Sequence, residues 1–197
     1  GVYLDRTLKP PFLLVATPQL QDPNFKKSVV LIVEHSDEGS MGFVINRPMQ
    51  APLADLVHIP DLTIPDALAA WYGGPVQTDT GIILHDRTAA SLDNDREAAL
   101  ALSSTESSLI ELVDQAKRRL AELDQRPQTA DGPLVELDGG LYPYRFVAGY
   151  AGWGEGQLME EIHAGSWIQT AALWRLVVNT SWKTMWDEAL GFVGVTS

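Results

Sequence analysis

Two β-branched runs, "SVVLIVEH" (Ser28–His35) and "GFVIN" (Gly42–Asn46), flank the turn-forming stretch "SDEGSM". Short apolar runs rich in valine and isoleucine read as buried strands, and a polar, glycine-containing joint between two of them reads as a hairpin. This pairing constrains the fold more than any other feature. Parallel neighbours need a crossover of a dozen or more residues, so a chain that pairs strands across so short a joint is not a purely alternating βαβ chain. "FLLVA" (Phe12–Ala16), fenced by Pro10, Pro11 and Pro18, adds another short buried strand just before the hairpin.

Further along, strands and helices mix. Ala51–Val57 reads as a short helix with Pro52 in its first turn. "GIILH" (Gly81–His85) reads as a strand, and Leu141–Ala151 as another. Ser103 with Glu106 fits a capping box ahead of a long helix reaching about Leu123, with Leu109, Val113, Ala116, Leu120 and Leu123 on one face. Lys117, Arg118 and Arg119 fall near its C-terminal end, where positive charge offsets the helix dipole. Ser181 is placed to cap a last helix, whose Trp182, Trp186 and Leu190 recur at i, i+4, i+8 and read as core. Residues 124–140 read as a surface excursion within one domain spanning 1–197. The fold class expected is therefore α+β, as a single domain.

Composition narrows the function classes. The chain is 45% hydrophobic and 20% charged, which suits a globular domain with a sizeable core. Its net charge is −12, split evenly, since residues 1–100 and 101–197 each hold 13 acidic and 7 basic side chains. Nucleic-acid affinity depends largely on phosphate neutralisation, so an evenly acidic chain argues against direct DNA or RNA binding. Without cysteine there are no disulfides, thiolate nucleophiles or thiolate metal sites. Its apolar runs are too short to span a bilayer, so a cytoplasmic protein with no membrane association is expected.

"GYAGWGEGQLMEE" (Gly149–Glu161) invites comparison with a phosphate loop, because a glycine-rich turn into a helix can cradle an anion. The dinucleotide fingerprint fails here: Gln157 stands where its third glycine belongs. Glu155, Glu160 and Glu161 around the helix start would repel an anion. What remains distinctive is Trp153 between Gly152 and Gly154. Those glycines permit close approach of a chain or ligand, or let the indole fold onto the core.

Other candidate chemistry is sparse. His35, His58, His85 and His163 show no paired metal-ligand spacing, and no metal or cofactor is expected. His35 and His85 close strands, where either could serve as a general base with Glu34 orienting it. Arg47 follows a strand directly, placed to clamp a carboxylate or to pair with a surface acid.

Taken together, "ATPQLQDPNFKKSVVLIVEHSDEGSMGFVINRP", "YGGPVQTDTGIILH", "GYAGWGEGQLMEE" and a weaker "WDEALGFVG" resemble the AlgH/YqgE family of bacterial proteins. The resemblance runs from about Phe12 to Gly194. It implies a branched, mixed β-sheet surrounded by helices. It brings a transcriptional-regulator label but no catalytic residues. Thr80 and Glu155 depart from the arginine and proline common in the family at those places, which weakens any anion role there.

The resulting expectation is a non-catalytic ligand- or partner-binding regulatory protein whose motif blocks meet around one groove. The first block contributes Asp22, Glu34, His35, Asn46 and Arg47, and the second Gly73, Gly74, Pro75 and His85. From the third come Trp153, as a wall, with Gly154, Gly156 and Gln157. Backbone amides of Gly73, Gly74 and Gly154 should then be open to a small-molecule or protein partner. An enzyme with His35 or His85 as general base is the alternative, and a regulator bound directly to DNA ranks third.

Overall fold

The prolines and the hairpin act as expected. β1 (Phe12–Ala16), β2 (Val29–Ser36) and β3 (Gly39–Val44) pair antiparallel, with Asp37 and Glu38 forming the turn between Ser36 and Gly39. The computed structural model describes residues 9–86, 100–123, 144–177 and 180–194. Every side chain of β1 is buried, because helices cover both faces of this three-stranded region. Leu13, Val15, Val29, Leu31, Phe43 and Ile45 face one core with α4 (Trp174–Val177) and α5 (Met185–Phe192). Their alternates Phe12, Leu14, Val30, Ile32 and Val44 face another with α3 (Gln157–His163). Burial of each such side chain contributes roughly 1.5–3 kcal/mol, so continuous apolar runs, not alternating ones, are what these strands require.

The sheet continues through β4 (Pro48–Pro52), β5 (Ala69–Tyr72), β6 (Val76–Asp86), β7 (Leu100–Ser103), β8 (Tyr144–Trp153) and β9 (Trp167–Ala171). Its main path runs β4-β5-β8-β3-β2-β1-β9, and β6, itself paired with β7, branches from β8. β8 is the branch strand. It pairs β6 antiparallel, β5 parallel at Val147 and Ala148, and β3 antiparallel at Ala151–Trp153. A third core lies where Leu109, Leu112, Val113 and Ala116 of α2 (Glu106–Leu123) meet Leu53, Leu68, Ala70 and Ile83. The protein is thus an α+β structure built on a mixed, branched sheet flanked by helices.

The branch explains two glycine clusters at once. Gly149 sits at φ +75°, in the left-handed region. A Cβ on Gly149 would collide with the Gly74 carbonyl oxygen, and one on Gly74 with the Tyr150 carbonyl. The Gly73 N–H donates to the Ala148 carbonyl at 2.8 Å, and the Val44 N–H donates to the Gly73 carbonyl at 2.7 Å. Three backbones meet here without room for side chains.

Several boundaries differ from the sequence reading. The Pro52 region is strand β4 up to Pro52, and only Leu53–Leu56 form a helix, α1. Ser103 ends β7, and Thr105 takes the capping role, its Oγ1 accepting the Ser108 N–H at 3.2 Å. The last helix starts at Met185, with Thr184 as N-cap, so Trp182 precedes it. β4, β5, β7 and β9 are short strands set by their neighbours and were not legible as separate strands. β8 runs on through Trp153, which leaves only Gly154–Gly156 as loop. The proposed excursion at 124–140 lies outside the described residues. No helix among the described residues is long and apolar enough to cross a membrane.

Candidate functional site

The glycine-rich stretch is tied down by its own side chains. Trp153 is 6% exposed and packs against Phe25 and Trp167, with ring centroids 5.9 and 6.2 Å away. Glu161 Oε1 accepts the indole N–H of Trp153 at 3.1 Å and of Trp167 at 3.0 Å, while its Oε2 accepts from Gln157 Nε2 at 2.9 Å. Gln157 Oε1 in turn accepts the Gly154 N–H at 3.0 Å. Trp153, Gln157 and Glu161 therefore form a staple at i, i+4, i+8 that fastens α3 to the end of β8. Gly165 closes the helix in a Schellman motif, with Ser166 N–H donating to the Glu161 carbonyl at 2.9 Å.

The expected open amides are accordingly not all open. Those of Gly73 and Gly154 already donate within the protein, and Gly73 and Gly74 are buried. Pro75 is exposed beside them, and Gly156, at φ +71°, is the exposed N-cap of α3.

Blocks one and three do share a groove. A depression of about 630 Å³ at the hairpin end is lined by Glu34, His35, Glu38, Ser40, Met41 and Trp153, among others. His35 Nδ1 and Ser40 Oγ lie 2.6 Å apart, and the imidazole stands edge-on to Phe12 at 5.7 Å. His85 is elsewhere. It pairs in register with Tyr144 at the start of β8, whereas Ser40 pairs with Trp153 at its end. Roughly 30 Å of strand separates the two histidine positions, at about 3.3 Å per residue. Gly73 and Gly74 line the branch, not this groove, so the blocks do not converge on one site.

The opposite end of the same strands has another character. Residues before β2, after β3 and before α5 enclose a cleft of about 790 Å³ whose lining includes Lys26, Lys27, Arg47, Lys183, Trp182 and Trp186. Asp187 is the acidic residue in that lining. Lys27 Nζ stands 5.8 Å from the Trp186 ring centroid, and Lys183 Nζ 6.0 Å from that of Trp182, the outer range for cation–π attraction. Trp186 is fixed by its indole N–H, which donates to the Ala16 carbonyl at 2.8 Å.

Asn46 and Arg47 build this cleft. Buried Asn46 accepts the Val29 N–H at 3.0 Å and donates to the Lys27 carbonyl at 2.9 Å. That bond holds Lys27 at φ +57°, a left-handed conformation costing roughly 1–2 kcal/mol. The Arg47 guanidinium donates to the carbonyls of Asn24 and, at 2.6 Å, of Lys26, so it clamps the 22–27 turn, not a surface acid. Burial lowers the Arg47 pKa, opposed by Tyr72 and Asp22. Burial likewise raises the Tyr72 phenol, with Asp22 adding to the rise and Arg47 pulling against it. Asp22 Oδ1 accepts the Asn24 N–H at 2.8 Å and shapes the same turn.

Sequence reasoning did not assign Ser40, Lys26, Lys27, Trp182, Lys183 or Trp186 to a site. The hairpin could have revealed part of the cleft. Residues just before its first strand and just after its second must be neighbours, which groups Lys26 and Lys27 with Arg47. A third cavity, of about 280 Å³, borders His58, Gly81, Phe146 and the start of α2. Among the described residues, no group of three or more His, Asp or Glu could hold a metal ion.

A family model described as AlgH-like matches residues 13–197. A UPF0301 protein of Myxococcus xanthus is 38% identical over 188 residues, covering 94% of this chain and 91% of its own. One from Delftia acidovorans is 33% identical, covering 92% and 87%. The solution structure of the AlgH protein from Pseudomonas aeruginosa matches with TM-score 0.65 and 28% identity, covering 97% of this chain and 94% of that one. A crystal structure of a Corynebacterium diphtheriae protein matches in fold, with TM-score 0.61, 23% identity, and coverage of 94% and 87%. None of these names states a ligand or a reaction.

Proposed function

The chain belongs to the AlgH-like family, and from that premise we propose that it is a non-catalytic cytoplasmic binding protein whose regulatory signal is occupancy of the basic, indole-walled cleft by an anion. One observation carries the reading: in a chain of net charge −12, four cationic side chains and two indoles gather in one cleft with a single carboxylate among them. Charges of one sign in a concave site concentrate ligands of the other. Like-charge crowding is unfavourable for folding alone, so a cluster of this kind supports a role in recognition. The acidic total argues against duplex DNA as the anion, and a protein partner is the expected reader of the occupied state.

A thermal-shift screen tests the reading, using phosphate, pyrophosphate, citrate, sugar phosphates and nucleotides at low ionic strength. An anion at about 100 times its Kd adds roughly 2.7 kcal/mol, or on the order of 5–10 °C for a chain of this length. The shift should shrink in the Lys27→Gln, Lys183→Gln double variant and with added salt. If no anion shifts the native protein, the cleft is not the site.

The His35–Ser40 pair supports a second reading, since a 2.6 Å contact links an imidazole to a hydroxyl in an open groove. There His35 would act as general base toward Ser40. Labelling of Ser40 by a fluorophosphonate, lost in His35→Gln, would favour it. No labelling above a Ser40→Ala background would remove it.

A further inference from the structure

We propose that the cleft is built for a planar ring joined to a phosphate or pyrophosphate, that is, a nucleotide-type ligand. This rests on the anion-binding reading above and narrows its chemical class. Each amide or hydroxyl side chain of the cleft makes at least one bond to the protein's own backbone. Thr17 Oγ1 donates to the Gly165 carbonyl at 2.7 Å, Gln21 Nε2 to the Pro18 carbonyl at 3.1 Å, and Asn46 uses both ends of its amide. The Arg47 fork, the natural partner of a carboxylate, is turned onto the carbonyls of the 22–27 segment. What the cleft adds besides these is charge and ring surface.

The charge comes from Lys26, Lys27 and Lys183, whose ammonium groups line the cleft as compact point charges. Such groups suit a multivalent oxyanion, which presents charge in several directions, better than a flat carboxylate. The ring surface comes from Trp182 and Trp186, both packed against the core and thus presented as fixed walls. Lys27 Nζ sits 5.8 Å from the Trp186 ring centroid, loosely enough for a planar ring to take that indole face while the ammonium turns to a phosphate. Base-on-aromatic stacking contributes about 1–3 kcal/mol. Asp187, at the same cleft, offers an acceptor to a sugar hydroxyl or a ring amino group. A volume of about 790 Å³ falls within the range of small-molecule sites.

The test separates ring from charge. The native protein is titrated with the diphosphates of adenosine, guanosine, cytidine and uridine, with the four parent nucleosides, and with inorganic pyrophosphate, following tryptophan fluorescence and heat. We expect the tightest diphosphate to bind at least fivefold more strongly than both pyrophosphate and its own nucleoside. The Lys27→Gln, Lys183→Gln variant should lose tenfold or more toward that diphosphate, with little change toward the nucleoside. If pyrophosphate binds within fivefold of the diphosphate, the ring has no role and this inference falls, while the anion cleft stands. The same holds if a panel anion without a ring binds in a lysine-dependent way and every diphosphate is silent. Silence from all anions overturns both readings.

Discussion

The glycine-rich end of β8 and the basic cleft make opposite use of their residues. At the first, nearly every distinctive residue answers to another part of the same chain: Gly149 to Gly74, Gln157 to Gly154, and Trp153 and Trp167 to Glu161. At the second, buried Asn46 and the anchored, half-buried Trp186 hold a backbone whose lysines line an open cleft. A dense local motif can therefore be dense because the architecture is crowded. A binding surface can be assembled from residues that look ordinary along the chain.

Mutations can break or sharpen that contrast. The largest expected effect is that of Trp153→Ala, which removes a buried indole and should cost about 3–5 kcal/mol, a fall in Tm of roughly 6–20 °C. A variant that kept its Tm yet lost anion binding would reverse the assignment of the two regions. Next comes Gly149→Ala, where left-handed strain and a backbone collision together cost roughly 2–4 kcal/mol. Gly152→Ala is its control. A Cβ there meets nothing closer than 3.8 Å, so denaturant unfolding should change by less than about 0.5 kcal/mol. Equal losses at both positions would mean that motif glycines respond to something other than backbone crowding.

Glu161→Gln keeps the shape of the staple but replaces a charged acceptor of three hydrogen bonds, for an expected loss of about 1–2 kcal/mol in urea unfolding. Lys27→Gln with Lys183→Gln is the mirror image: exposed residues whose removal should move stability by no more than about 0.5 kcal/mol while weakening anion binding tenfold or more. A large stability loss there would recast the lysines as structural. The smallest effect concerns pH. Tyr72 has a raised folded-state pKa, so its contribution is fully present below the ordinary value of 10.0 and is lost as pH rises through the folded value. Between those values stability should decline slightly in the native protein and less in Tyr72→Phe, as read by unfolding at stepped alkaline pH.

Local patterning made much of the fold legible. Proline fences, β-branched runs and the turn-forming "SDEGSM" stretch specified β1, β2 and β3, though the turn itself tightens to Asp37 and Glu38, and helical spacing specified α2. The short strands β4, β5, β7 and β9 carry little signal, since a run of four or five residues becomes a strand only when a neighbour supplies its hydrogen bonds. Of the candidate site residues, Glu34 and His35 did meet Trp153 at a groove. Asn46 and Arg47 belong to the cleft as its scaffold. Gly73 and Gly74, expected to offer open amides, instead sit buried at a chain crossing that no single segment records.

The sequence by itself determined the family, the fold class, the hairpin and the excess of negative charge, because each follows from residue type and near-neighbour spacing. Only the tertiary structure decided where β8 branches, that Trp153 belongs to a core, and that Lys26 and Lys27 share a cleft with Trp182, Lys183 and Trp186. Those outcomes depend on contacts between residues far apart in the chain, 100 to 170 positions for the Arg145, Thr17 and Trp186 hydrogen bonds. Contacts at that range are set by how whole layers bury their apolar faces, a global minimum that local spacing does not encode.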